Sequence, residues 1–183
     1  MKGIFFTELL EMTEKEYGID ITEKIIAELG VGNNGVYEAT YDYPYTQFVE
    51  MCDILSNEVK NSVSDLVKNF GEYLFSRLVI LFRPDFAGNT DVFEFLGQID
   101  DFIHHSIQER FTKVEIPRFK AIQINDSTFQ ISCQSEEVLI DLAIGLFMGC
   151  QRFFNEELTL KTEFISKRSK LVCFTLSKNH ILV

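Results

Sequence analysis

The chain has no tryptophan, and only three prolines, three histidines and four cysteines among its 183 residues. Each scarcity excludes something. The cysteines (Cys52, Cys133, Cys150 and Cys173) are widely scattered with no C-x-x-C pair, which fits reduced thiols in the cytoplasm rather than a disulfide framework or a zinc site. Cations are outnumbered, 17 Lys and Arg against 28 Asp and Glu, and the formal net charge of −11 repels nucleic-acid phosphates and anionic membranes. The longest apolar stretch, about "LAIGLFMGC", falls far short of the roughly 20 residues a membrane-spanning helix needs. The N-terminus "MKGIFFTELLEMTEKEYG" turns acidic at once and shows no small-residue cleavage site, so no secretory leader is expected.

What remains is a chain with 46% hydrophobic and 25% charged residues, enough for one domain with a real core, expected to span 1–183. Its eighteen phenylalanines suit plain core packing and also the lining of a pocket for a large flat ligand.

Up to about residue 111 the periodicity is helical. A first helix from Ile4 closes near Gly18, and a second, capped by Asp20, stops at Gly30. Pro44 suits the first turn of a third helix running to about Val59. Ser62-x-x-Asp65 is a capping signal for a fourth, which ends ahead of Pro84. A fifth starts at about Asp91. From about residue 117 the period changes. "RFKAIQI" and "TFQISCQ" flank "NDS" as a hairpin, Ser135 is expected to N-cap the apolar helix "EEVLIDLAIGLFMGCQRFF", and "LTLKTEFI" and "LVCFTLS" close the chain as a second hairpin. Helices followed by an antiparallel sheet with a packed helix make an α+β fold.

Two of the three histidines are adjacent, in "IDDFIHHSIQERF" at residues 99–111. Leu96, Ile99, Ile103 and Ile107 form the apolar stripe of the fifth helix. His104 lies about 100° round from Ile103, at the stripe's edge and one turn after Asp100. His105 shares a polar face with Asp101, Gln108 and Thr112. Periodicity therefore turns His104 inward and His105 to solvent; a half-buried histidine held by Asp100 would satisfy that pattern without any chemistry.

The ordered set "MKGIFF", "FGEYLF", "FRPDFAG", "IDDFIHHSIQERFTKVEIPRF" and "GLFMG", from Met1 to about Phe154, resembles the H-NOX (heme–nitric oxide/oxygen binding) family, of the bacterial stand-alone type. The resemblance implies a heme b whose iron is ligated by the histidine thirteen residues before a proline, here His104 before Pro117, with Pro117 as the residue that distorts the macrocycle. One neutral imidazole leaves the opposite iron face open to a gas. The resemblance also implies a Tyr-x-Ser-x-Arg motif holding both heme propionates. The matching positions are Cys133, Ser135 and Glu137, in "CQSEE", so only the serine is kept. An arginine–carboxylate pair contributes roughly 1.5–3 kcal/mol, and a glutamate there repels instead. Some relatives hold a zinc in the C-terminal stretch; "EFISKRSKLVC" offers only Cys173, so no zinc is expected.

In oxygen-binding relatives a distal tyrosine donates a hydrogen bond to bound dioxygen. The counted position here is Leu142, and the other distal positions, Phe5, Leu9, Leu74 and Leu78, carry no side-chain donor either. The resemblance thus implies a sensor that binds nitric oxide and carbon monoxide at ferrous heme and regulates a separate signalling enzyme, such as a histidine kinase or diguanylate cyclase. A second reading keeps the scaffold and replaces heme with another hydrophobic or planar ligand, or none. A third, an enzyme using an Asp100–His104 pair on Cys133, has no nucleophile elbow, phosphate loop or metal cluster to support it.

Overall fold

Capping chemistry sets the helix boundaries. In a computed structural model describing residues 1–30, 32, 34–82, 86, 88, 91–101, 119–166, 168 and 170–179, helix α1 runs Gly3–Tyr17 and α2 Ile19–Leu29. Gly18 joins them at φ +92°, a conformation that suits glycine, and serves as C-cap of one and N-cap of the other. Asp20 therefore lies inside the first turn of α2, where its charge suits the dipole, and is not the cap expected from sequence. Helix α3 is Tyr45–Val59, with Pro44 one residue outside it. Helix α4 is Val63–Leu81, and the Ser62 hydroxyl accepts a hydrogen bond from the Asp65 N–H at 3.0 Å, the cap anticipated.

The fifth helix is broken. Helix α5 covers Val92–Gly97, the Gln98 N–H bonds back to the Phe95 carbonyl at 3.0 Å, and α6 begins again at Ile99–Asp101. A single helix from Asp91 was expected; Gly97, a weak helix former, supplies the reason for the break. His104, His105 and Pro117 lie outside the described residues.

Strands β1 (Lys120–Asn125), β2 (Thr128–Gln134), β3 (Leu158–Ser166) and β4 (Leu171–Lys178) form one antiparallel sheet in the order β1-β2-β4-β3, and α7 (Glu137–Phe154) packs on it. Along β2 and β4 every second residue is buried, so the pairs Phe129–Leu176, Ile131–Phe174 and Cys133–Val172 face one core. The architecture is α+β, as the change of period indicated.

The apolar residues fall into two clusters. One joins the sheet to α7 and α5: Phe147 meets Phe174 edge-on at 5.2 Å, and Phe93 meets Phe129 at 5.4 Å. The other lies among α1 to α4, around Phe6, Phe48, Phe70 and Leu74, and receives Leu142 from α7. Helices α4 and α7 carry the contact between them at nearly backbone-to-backbone range, at Gly71 and Gly145.

A buried ion pair also ties α1 to α4. Arg77 Nε donates to Glu8 Oε2 at 2.7 Å and Nη2 to Glu11 Oε2 at 3.2 Å, with the Glu8 side chain only 6% exposed. Removing the cation strands a carboxylate in a dry environment. Arg77→Met should therefore cost about 2–3 kcal/mol, toward the low end for buried pairs because the guanidinium is one-third exposed. Adding Glu8→Gln should return most of that loss. Urea unfolding of the two single variants and the double variant checks this, and strictly additive losses would contradict the pairing.

Candidate functional site

The five donor-free positions named above come together. Leu9 on α1, Leu74 on α4 and Leu142 on α7 are buried in the helical cluster, and Phe5 and Leu78 are half-buried against it. Leu78 also packs against the sheet cluster, so this wall stands where the two cores meet. No side chain among the five can donate a hydrogen bond.

On the other side, α5 is fixed at its start by a polar knot. Asp91 Oδ1 accepts from the Phe93 N–H at 2.7 Å and from the Glu94 N–H at 3.3 Å, a side-chain cap. The Lys178 ammonium bonds Asp91 Oδ2 and Glu156 Oε2, and lies 4.8 Å from the centre of the Phe93 ring. Glu156 Oε1 in turn accepts from the Val92 N–H at 3.1 Å. The end of β4 and the turn after α7 thus hold the helix that leads toward residues 99–111.

Burial opposes ionisation of Asp91, but the Lys178 hydrogen bond and the two amides outweigh it and hold the carboxyl below its ordinary range. Its stability contribution should be full above about pH 4, the unfolded-state value, and lost as pH falls through the lower folded value. Asp91→Ala should cost about 1–2 kcal/mol at pH 7, mostly as a lost cap. The gap from wild type should close as unfolding is measured down toward pH 3, and a gap constant over that range would rule out this linkage.

The corner at the head of α7 is built differently from what a propionate anchor requires. Cys133 is 5% exposed and faces the sheet core, and burial, with a lesser effect of the nearby Cys173, pushes its thiol up to about 11. Ser135 does not cap α7. The N-cap is Glu136, one residue later, because the Ser135 N–H is taken by the Lys170 carbonyl at 3.0 Å as the strand ends, and the serine hydroxyl donates to the Glu136 carbonyl at 3.3 Å. Glu137 is the first helical residue.

Two residues at this corner have no signal in the linear sequence. Lys170, in the turn between β3 and β4, pairs with the Glu136 carboxylate. The phenol of Tyr45, at the start of α3, is raised first by burial and then by the charge of Glu136, so it stays neutral. Both reach the corner only through the β2–β4 pairing and the packing of α3, neither of which is local in sequence.

The five side chains are apolar, as the face of a porphyrin requires, and Leu9, Leu74 and Leu142 are closely packed in the helical core. Among the described residues the corner does not fit its carboxylates: it offers a neutral buried thiol, a serine whose proton is already used, and a lysine already paired with Glu136. Among the described residues no three His, Cys, Asp or Glu side chains gather as a metal-binding group, and no helix is long and apolar enough to cross a membrane.

Comparison with known proteins agrees with this fold. No curated protein sequence matches the chain. Among solved structures, the Fe(II) unliganded H-NOX protein from K. algicida is 26% identical, with a TM-score of 0.87 over 100% of this chain and 99% of that one. The S. oneidensis H-NOX protein in its Fe(II)NO ligation state is 18% identical, with a TM-score of 0.88 over 98% of this chain and 100% of that one. A point mutant of the T. tengcongensis H-NOX is 18% identical, with a TM-score of 0.86 and full coverage of both chains. At 18% identity a likeness speaks for the fold alone. The Haem-NO-binding family model, however, matches residues 2–162, nearly the whole chain, and the chain therefore belongs to the Haem-NO-binding, or H-NOX, family.

Proposed function

We propose that this chain is one sensor domain spanning residues 1–183, which binds heme b with His104 as the axial ligand and Pro117 against the macrocycle, and takes nitric oxide or carbon monoxide at ferrous iron. Family membership supports the heme-sensor class. The single observation that carries the choice of gas is the wall of Phe5, Leu9, Leu74, Leu78 and Leu142, five apolar side chains from three helices with no donor among them. Bound dioxygen develops negative charge and depends on distal hydrogen-bond donors, whereas nitric oxide and carbon monoxide do not. The output passes to a separate signalling enzyme, a histidine kinase or a diguanylate cyclase, and the domain acts in the cytoplasm without engaging membrane or nucleic acid, as its charge of −11 favours. It is a regulatory module rather than an enzyme, with no zinc.

The test is an absorption spectrum of the purified, reduced protein. An intense Soret band that shifts with nitric oxide and with carbon monoxide, and is unchanged in air-equilibrated buffer before oxidation sets in, is the expected result. A persistent oxy spectrum would overturn the gas assignment. Replacing Leu142 with Tyr should supply the missing donor and allow a measurable oxygen complex to form.

The anchoring corner favours a second reading, in which the scaffold holds another planar or hydrophobic ligand, or none. Absence of a Soret band after growth with added heme precursor would select it.

A further inference from the structure

Helices α4 and α7 also meet at Gly149, where a Cβ would stand 2.6 Å from the Phe75 Cβ and 3.0 Å from the Glu72 carbonyl oxygen. Beside that contact lies a cleft of about 500 Å³, a size that suits a small molecule. Part of its lining is aromatic. Phe153 is 46% exposed, yet three rings hold it, with centres 4.9 Å away at Phe154, 5.8 Å at Phe86 and 6.2 Å at Phe75. A ring kept half in water by its neighbours is a preformed contact face.

The rest of the argument is charge. Two carboxylates, Glu16 and Glu72, line the cleft against one guanidinium, Arg152. Glu72 Oε1 is buried, and among the described residues it accepts no hydrogen bond; Arg152 touches it as an ion pair without an aligned donor. The arginine side chain is itself 80% exposed, so its hold is screened by water while the acceptor beneath it is dry. Lys15 already sets its ammonium 5.8 Å from the centre of the Tyr73 ring, another wall of the cleft, so a cation on an aromatic face has a precedent here.

We propose that this cleft is a second ligand site, for a small organic cation: a planar amidinium or guanidinium carried on an aromatic body. Such a group presents paired N–H donors to the Glu72 carboxylate, with Glu16 as the second negative charge, while its body lies against Phe153. Arg152 is a placeholder that the ligand displaces into solvent. The site needs only the α4–α7 pair and is independent of heme.

The test is calorimetric titration of the full-length protein with benzamidine and with its neutral isostere, benzamide. Benzamidine should bind with a Kd on the order of 1 mM, and benzamide about tenfold more weakly. Glu72→Gln should weaken benzamidine about tenfold, and Phe153→Ala several-fold. Arg152→Ala, at an exposed side chain that the fold does not need, should instead tighten it several-fold by removing the competitor. Equal binding of the two probes, or tighter binding by wild type than by Arg152→Ala, overturns the proposal. A capped peptide with one central arginine should bind more weakly than benzamidine; the reverse order would give the cleft to a segment of another protein and overturn the small-ligand assignment.

Discussion

Gly145→Val should lower the stability of the protein by about 3–5 kcal/mol, among the largest losses a single substitution can produce here. A Cβ at Gly145 would stand 2.0 Å from the Lys68 carbonyl oxygen and 2.8 Å from the Gly71 Cα, and both of those atoms belong to the backbone of α4. No rotamer change relieves such a contact; the helices have to separate. Separation opens the seam between the two clusters, where Leu142 sits in the helical core while its neighbours on α7 hold the sheet. For a chain of this size the loss corresponds to a fall in Tm of about 10 °C or more. Met148, on the exposed side of the same helix, is the control, and Met148→Ala should shift the midpoint little. A Gly145→Val midpoint within about 2 °C of wild type would show that α4 and α7 are not locked at this crossing.

That crossing marks where sequence reasoning reached its limit. Helix ends were legible wherever a local chemical signal fixed them: Gly18 and Gly30 after α1 and α2, Ser62 before α4, and the turn residues between the strands of each hairpin. Alternating burial on β2 and β4 defines the core face of the sheet. The pairing of β2 with β4, which puts Lys170 beside Ser135, is long-range and has no local signature. Ser135 misled because it is a good cap by type, and only the strand's last backbone bond displaces the cap to Glu136. The glycines of α7 could be seen in the sequence, but which helix they would touch could not. Gly97 lies inside a convincing apolar stripe, and the break after it shows that hydrophobic spacing alone does not make a helix continuous.

That five positions lack polar atoms is read from the sequence, and their choice from the resemblance; the fold places all five in or against one cluster. The departure in "CQSEE" is visible only against the motif that the resemblance implies. The electrostatic character of that corner is not visible in the sequence, because it depends on which cation arrives and on the cation's being already paired when it does.

His104→Ala should abolish the heme absorption signature of the reduced protein, and His105→Ala should leave it nearly intact. The argument is one of helical phase. After the break at Gln98 the helix restarts at Ile99, which is half-buried against the sheet cluster, while Asp101 is exposed. The sequence spacing, at about 100° per residue, predicts Ile103 on the side of Ile99, His104 at the edge of that apolar face, and His105 on the side of Asp101. The break makes this stricter, because Leu96 no longer sets the phase and Ile99 does. The contrast should be especially sharp in this chain. Where propionate anchors are strong, heme survives loss of its iron ligand in a loosened pocket; here, among the described residues at the head of α7, Lys170 is already paired with Glu136 and supplies no such reserve. External imidazole should restore part of the His104→Ala spectrum by occupying the space left by the side chain. Both variants should unfold at urea concentrations close to wild type without added heme, which separates ligation from folding. If His105→Ala proved the damaging change, the phase set at Ile99 would not extend to residue 105 and the ligand assignment would pass to the neighbouring histidine.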